Sequence, residues 1–183
     1  ASVTPAERDA LARALAAAVL AADGEELGAL LRGAKGGACV DARHPETGRT
    51  ALHEAVAALD AGLTAQLLGA GADPDAAHRT QGPPLLHAAA FGEAGLVELL
   101  VEHGASVNAS DSRGWCALHY ACCAGHRRAA AALLRCGASV RVRTSKGETP
   151  LQLAQSDRVR ALFGENIGGG GPSSPATPFD QRG

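Results

Sequence analysis

A fixed period of 33 residues constrains the fold of this chain more than any other feature of its sequence. One position of a recurring segment is occupied, at intervals of 33 residues, by His53, Leu86, His119 and Gln152. Glycine–alanine pairs keep the same spacing and begin at residues 71, 104 and 137. Because periods of 20–50 residues are typical of solenoids and related arrays, the sequence predicts a stack of similar units.

The recurring segment combines a turn with the start of a short helix. Its four copies read GRTALHEA at 48–55, QGPPLLHA at 81–88, GWCALHYA at 114–121 and GETPLQLA at 147–154. For the unit that contains the second copy we predict a helix over Leu85–Phe91, a break at Gly92, a second helix over Gly95–Glu102 and a helix-ending glycine at Gly104.

These helices are too short to be stable alone, since isolated helices of fewer than about 12–15 residues are marginal in water. Each unit must therefore pack on its neighbours. Small residues at Ala88-Ala89 and Ala121-Cys122 would let successive inner helices approach to roughly 8–10 Å. We expect Cys122 to be a small buried residue.

The recurring segment resembles the Thr-Pro-Leu-His-x-Ala signature of ankyrin repeats. The resemblance covers about residues 11–164 and implies an all-α solenoid of about five stacked helix-turn-helix units with β-turn or hairpin fingers. It also implies a non-catalytic protein that binds other proteins. The positions that carry the signature are Thr50, Leu52, His53, Ala55, Leu85, Ala88, Leu118, His119, Ala121, Thr149, Pro150, Leu151, Ala154, Gly71, Gly104 and Gly137.

Two units depart from this signature. Pro83 and Leu86 replace the Thr and His whose hydrogen bonds hold the turn in the family, and losing both leaves fewer unpaired polar groups than losing one. In the next unit Cys116 replaces Thr while His119 stays, so we expect a weaker turn there.

The predicted organisation has three parts: an N-terminal extension (1–10), the repeat domain (11–164) and a tail or linker rich in glycine, serine and proline (165–183), which we expect to be disordered. The repeats cover about 11–41, 42–75, 76–108, 109–141 and 142–164, and the first and last act as caps. The first cap is predicted to hold helices over 11–22 and 25–32. The last is predicted to hold helices over 151–155 and 157–163, with Ser156 as an N-cap. Ser174 and Thr177, each followed by proline, are candidate phosphorylation sites.

Composition indicates the environment of the chain. The longest apolar run has nine residues, too few to span a bilayer, so we expect a soluble protein. Five cysteines without a CxxC pair, and an N-terminus without a basic signal region, favour the reducing cytoplasm or nucleus. The absence of methionine is consistent either with removal of the initiator or with a piece of a longer chain.

Catalytic and metal-binding patterns are missing from the sequence. It contains no GxSxG, HExxH or Walker motif, and the glycine run at 168–171 lacks the flanking strand and helix of a phosphate cradle. His53 and His119 are expected two layers, about 20 Å, apart, whereas zinc ligands lie about 2.0–2.3 Å from the metal. The sequence thus predicts no enzyme activity, metal or cofactor.

The surface is the remaining candidate for function. The residues after the signature histidine position form a ladder facing the predicted concave groove: Glu54, His87, Tyr120 and Leu153. The fingertips form a second row: Arg43, His44, Arg49, His78, Arg79, Asp111, Arg113, Trp115, Arg141, Arg143, Lys146 and Glu148. Finger segments 42–49, 76–82, 109–115 and 141–148 carry net charges of +1, +1, 0 and +2, giving +4 in a chain of net charge -2.

This charge distribution favours a protein partner with an acidic or extended segment. Nucleic-acid binding is not predicted, because such domains usually have a pI above about 9 and this chain has one near 6.4. Aromatic residues and arginine dominate interface hot spots, which places the centre of binding in the third and fourth repeats. A core or plugging role is the alternative for the aromatic residues. The candidate contact residues are Arg49, Glu54, Arg79, His87, Phe91, Arg113, Trp115, Tyr120, Arg143 and Lys146.

Asn108 is a candidate modification site. The segment 100–108 is similar to those in which ankyrin-repeat asparagines are hydroxylated by a 2-oxoglutarate oxygenase, with Leu100, Ala105 and Val107 at the matching positions. The alternative is an ordinary polar residue of the finger.

The interpretation that accounts for these features is a scaffold or adaptor that holds a segment of another protein in its groove. The alternatives are a targeting or autoregulatory domain of a larger enzyme and an ankyrin-type transcription regulator, which share the fold and differ in context.

Overall fold

The structure, a computed structural model, describes residues 4–33 and 40–167, with side chains through residue 164. Within these residues the chain forms ten helices and no strand longer than an isolated bridge. The helices are α1 (Pro5–Leu20), α2 (Gly24–Gly33), α3 (Ala51–Ala57), α4 (Ala61–Gly69), α5 (Pro84–Phe91), α6 (Ala94–Glu102), α7 (Ala117–Cys123), α8 (Arg127–Arg135), α9 (Pro150–Leu153) and α10 (Asp157–Ile167).

The helices pair into five layers, as the period predicts. The odd-numbered helices pack against one another along the stack and form an inner row, and most of the even-numbered helices form a parallel outer row. At the contact between α5 and α7, Ala88, Ala89, Ala121 and Cys122 are completely buried. Small side chains therefore allow the close approach of inner helices that the sequence predicted.

The signature leucines lie in the core of the stack, with one exception. Leu52, Leu85 and Leu118 are at most 1% exposed, whereas the equivalent Leu151 in α9 is 36% exposed. No inner helix follows α9 among the described residues, and within them this leucine is left uncovered. That the last unit acts as a cap stays a prediction.

The first helix is longer than predicted. It begins at Pro5 instead of residue 11, so residues 5–10 continue the helix rather than forming a separate extension. Thr4 caps it: its hydroxyl accepts a hydrogen bond from the backbone N–H of Glu7 (3.3 Å), and the Glu7 carboxylate accepts one from the backbone N–H of Thr4 (2.7 Å). This reciprocal capping box, together with proline at the first helical position, fixes the start.

The last pair also differs in its limits. α9 ends at Leu153, two residues early, and α10 continues to Ile167, four residues beyond the predicted end. Ser156 does cap α10, since its hydroxyl accepts a hydrogen bond from the backbone N–H of Arg158 (3.3 Å). The predicted tail from 168 onward, with Ser174 and Thr177, lies outside the described residues, as does Cys39.

Glycine ends the outer helices as predicted. Gly71, Gly104 and Gly137 have φ of +89°, +94° and +85°, in the left-handed region that glycine adopts without strain. The ends of the inner helices differ from one another. Gly92 and Gly125 end α5 and α7 with a positive φ that costs glycine nothing. Ala22 and Leu59, at the ends of α1 and α3, adopt φ of +54° and +59° with a side chain present, so their backbone is strained.

The fingers are joined from one repeat to the next by side chains that accept backbone hydrogen bonds. Asp41 accepts from the N–H of Asp73 (2.9 Å), and Asp75 accepts from the N–H of Ser106 (2.9 Å). The fingers are thus held rigidly against the layers. No helix among the described residues is both long enough and apolar enough to cross a membrane.

Candidate binding surface

Buried histidines hold two of the turns that position the fingers. Nδ1 of His53 accepts from the backbone N–H of Thr50 (3.3 Å), and its Nε2 lies 3.2 Å from the carbonyl oxygen of Gly82 in the next repeat. His119 repeats this pattern with the N–H of Cys116 (3.1 Å) and the carbonyl of Glu148 (3.2 Å). Each histidine therefore closes its own turn and fastens it to the following finger.

Burial keeps these histidines neutral. It lowers the pKa of His53 to about 4, with a further contribution from the positive charge of Arg49, against an opposing hydrogen bond to Gly82. Burial also lowers the pKa of His119. In the fourth repeat the Cys116 sulfur lies 3.0 Å from Nδ1 of His119, so the thiol takes the place of the Thr hydroxyl. A weaker turn at this cysteine stays a prediction.

Four residues of the fourth repeat form one compact cluster, which we call the Arg113 cluster: Asp111, Arg113, Trp115 and Tyr120. The Asp111 carboxylate accepts from the backbone N–H groups of Arg113 (2.8 Å) and Trp115 (2.9 Å) and from the Tyr120 hydroxyl (2.8 Å). Arg113 pairs with the same carboxylate at 3.1 Å and also donates to the Tyr120 hydroxyl. Asp111 thus organises the whole cluster.

The two aromatic rings of this cluster contact each other at a tilted angle, and the guanidinium lies over both. The centroids of Trp115 and Tyr120 are 5.1 Å apart, and the Arg113 guanidinium carbon lies 5.4 Å from the Trp115 centroid and 5.8 Å from that of Tyr120. These distances are within cation–π range. The arginine side chain remains 60% exposed, so a fixed guanidinium is presented to solvent.

Hydrogen bonding keeps Asp111 ionised. Burial alone would raise the pKa of this carboxyl, but hydrogen bonds from the Trp115 backbone, Tyr120 and Arg113 outweigh it and lower the pKa overall. The expectation that Asp111 is a fingertip residue is wrong, because the finger turn folds its side chain inward and leaves it 7% exposed. Its role is to hold Arg113 and Tyr120.

The corresponding position of the second repeat carries an ion pair. Arg49 and Glu54 are 3.3 Å apart, with side chains only 20% and 15% exposed, and Arg49 also donates to the carbonyl of His53 (3.2 Å). The two candidate contact residues therefore neutralise each other's charge, although Nε of Arg49 is buried without a hydrogen-bond partner among the described residues.

His87 continues the ladder in the third repeat. Its ring centroid lies 6.2 Å from that of His53, and its Nδ1 is buried without a hydrogen-bond partner in the described part of the chain. Burial lowers its pKa, and the nearby positive charges of Arg49 and His78 lower it further. His87 borders a cavity of about 110 Å³ that reaches Arg113 and Tyr120.

The remaining candidate contact residues lie on the fingers. Arg79 is exposed and lines a cleft of about 650 Å³ between the fingers of the second and third repeats, together with Arg43 and His78. Arg143 and Lys146 are exposed on the last finger, where Arg143 donates to the carbonyl of Gly147 (2.8 Å). These basic side chains add positive charge to the fingers of the second, third and last repeats.

Phe91 stands apart from the other aromatic residues. It is 50% exposed at the C-terminal end of α5 and makes no ring contact with Trp115 or Tyr120 in the described structure. The expected grouping of three aromatic residues thus reduces to two, supported by an arginine and a buried aspartate.

Asn108 has a structural partner. Its side-chain oxygen accepts from the backbone N–H of Ser139 (2.8 Å), which matches the bonds made by Asp41 and Asp75 in earlier repeats. The side chain is exposed, and the finger role proposed as the alternative to modification accounts for its position.

Two of the four cysteines in the fourth repeat are buried structural residues. Cys116 and Cys122 are fully buried, and burial raises the pKa of Cys122 to about 12, which keeps its thiol protonated. Among the described residues, no three His, Cys, Asp or Glu side chains are grouped so that they could hold a metal ion.

Comparison with protein families identifies the repeats. The family model described as "Ankyrin repeats (3 copies)" matches residues 56–144 and 85–169, which together cover more than half of the chain. A comparison with curated proteins finds no match. The family match and the layered helices confirm the all-α repeat architecture inferred from the signature residues.

Proposed function

The chain belongs to the ankyrin-repeat family, whose members generally mediate protein–protein interaction, and we propose that it is an adaptor that binds an acidic, extended segment of a partner protein. The groove beside the third and fourth repeats is the proposed binding surface, with the Arg113 cluster at its centre. No catalytic step is part of this proposal.

The observation that carries the proposal is the fixed geometry of Arg113. Long side chains lose rotamer freedom when they bind, at a cost of about 0.5–1.5 kcal/mol each. Asp111, Trp115 and Tyr120 already hold the Arg113 side chain in one conformation. Little further rotamer entropy is therefore lost when a partner binds. Because Nε and Nη2 already donate to Asp111 and Tyr120, a guanidinium presented in this way suits a partner carboxylate that accepts from Nη1.

Charge supports the same partner chemistry. The finger segments carry a net charge of +4, while the chain as a whole carries -2. An acidic segment that approaches this face is attracted over a Debye length of about 8–10 Å, and like-charged partners are repelled.

Peptide selection tests this function. A display library of peptides of about 12 residues, which span up to about 40 Å when extended, is selected on the wild-type chain and on the Trp115→Ala, Tyr120→Ala double variant. Arg128→Ala, which removes an exposed arginine of the outer helix α8, is the matched control. Acidic peptides that bind wild type and Arg128→Ala but not the double variant are expected. Selection of neutral or basic peptides, or binding that survives the double substitution, would contradict the proposal.

A further inference from the structure

One row of residues lies at the base of the fingers, directly above the ladder. It contains one residue from each of the last four repeats: Arg49, Gly82, Trp115 and Glu148. Each residue of this row precedes a ladder residue by five positions, and two of them cover it. Arg49 pairs with Glu54 (3.3 Å), and the Trp115 ring contacts the Tyr120 ring (5.1 Å between centroids). Gly82 has no side chain with which to cover His87.

The absence of a side chain at this position is enforced by the surrounding structure. Gly82 has φ of +71°, and a Cβ added there would lie 2.8 Å from a methyl carbon of Leu86 and 3.3 Å from Cβ of Asp111. The replacement of the signature histidine by Leu86 therefore goes together with glycine at 82. The row is open at the third repeat because no larger residue fits.

The opening is the cavity of about 110 Å³ beside His87, which we call the His87 gap. Leu86 and Ala90 supply the apolar lining, and the polar lining comes from Thr80, Gln81, His87, Arg113 and Tyr120. This volume exceeds what a single water molecule needs and leaves room for a small group, such as a side-chain carboxylate with its methylenes.

The polar lining indicates an anionic guest. Arg113 offers only hydrogen-bond donors, and its pairing with Asp111 leaves the side chain 60% exposed. His87 adds an imidazole whose Nδ1 has no hydrogen-bond partner among the described residues. A carboxylate can accept from both groups, whereas the apolar lining suits the methylene carbons that precede it.

We propose that the His87 gap receives a glutamate side chain from the partner segment, with its methylenes against Leu86 and Ala90 and its carboxylate toward Arg113 and His87. This inference rests on the proposed function, because it names the anchor of the acidic segment that the groove binds. The guest matches the gap in size, and the basic fingers around the gap match it in charge.

A filling substitution tests the gap without altering the Arg113 cluster. Ala90→Leu places a larger side chain in the cavity wall. Ala57→Leu makes the same change at the equivalent, half-exposed position of the second repeat, outside the gap, and is the matched control. The probe is the tightest acidic peptide selected on wild type, together with its Glu→Gln series, and affinity is measured by calorimetry.

Ala90→Leu is expected to weaken binding by roughly tenfold or more, and Ala57→Leu by less than about twofold. One Glu→Gln change in the peptide should weaken binding to wild type by a similar factor and add little further loss in Ala90→Leu, because both changes remove the same contact. Equal affinities for the two leucine variants, or additive losses, would overturn the inference while leaving the selected peptides as support for the function.

Magnetic resonance provides a measurement that needs no variant. The selected peptide is expected to shift the imidazole signals of His87 in the wild-type chain and to leave those of His103, on the outer helix side, unchanged. Saturation with peptide without a shift at His87 would also overturn the inference. If the library yields no acidic peptide at all, the proposed function is contradicted, and the inference about the His87 gap is contradicted with it.

Discussion

Protonation of His53 is expected to destabilise the stack as the pH falls below about 6.5. The ring is fully buried, accepts a hydrogen bond from the backbone N–H of Thr50 at Nδ1, and contacts the Gly82 carbonyl through Nε2. A proton on Nδ1 would place two N–H groups against each other and would add a positive charge near Arg49. The hydrogen bond that closes the turn would be lost, while the Nε2–H donor to the Gly82 carbonyl would remain and oppose this loss only in part.

The sign and size follow from the two pKa values. The unfolded chain binds this proton with a pKa near 6.5 and the folded chain with one of about 4, so below 6.5 the unfolded state binds more protons. Stability is therefore complete above 6.5 and is lost progressively as the pH falls toward 4. Between about pH 7.5 and about pH 5 the loss is about 2 kcal/mol from His53 alone.

Urea unfolding at a series of pH values measures this loss. His53→Gln is the control, because Gln152 already occupies the equivalent position of the last repeat and accepts from the N–H of Thr149 (2.8 Å) without titrating. His119, whose pKa is also lowered, contributes equally to both proteins, whereas any change at His87, whose ring lies 6.2 Å from that of His53, counts as part of the His53 effect. The wild-type chain should lose about 2 kcal/mol more than His53→Gln over this range. Parallel curves would refute the reasoning.

Three further substitutions test the backbone and the links between fingers, each by urea unfolding at neutral pH. Leu59→Gly should raise the free energy of unfolding by about 1 kcal/mol, because it relieves the positive φ of a half-exposed leucine; a decrease would contradict this account. Gly137→Val should lower it by about 2 kcal/mol at φ of +85°, and an unchanged value would show that this φ is not required. Asn108→Ala should lower the free energy of unfolding by about 1 kcal/mol, because the hydrogen bond to Ser139 is lost. An unchanged value would show that this bond does not stabilise the stack.

The repeat period was sufficient to predict the helices of the central units. The predicted starts at Leu85 and Gly95 differ by one residue from those of α5 and α6, and Gly104 has the positive φ expected of it. The period works here because each helix repeats the same local pattern of small and large apolar residues. At the first repeat, where the pattern weakens, the helix start was missed although Thr4 and Glu7 have the spacing of a capping box.

The binding surface was predictable only in part. The register placed Trp115 and Tyr120 near each other, but Asp111 was misplaced because its inward direction depends on the closed turn of the finger. The His87 gap had a sequence signal in Gly82, which interrupts a row of larger residues at 49, 115 and 148. Its size and lining depend on Leu86 and Arg113 from neighbouring repeats, which only the packed structure brings together.

The fluorescence of Trp115 gives the most direct test of the central claim that the partner binds at the Arg113 cluster. It is the only tryptophan in the chain, so its emission reports on this cluster alone. Titration with a selected acidic peptide is expected to change the emission with the same dissociation constant that calorimetry gives. Full binding by calorimetry without any change in the emission would place the partner elsewhere on the stack and contradict the account.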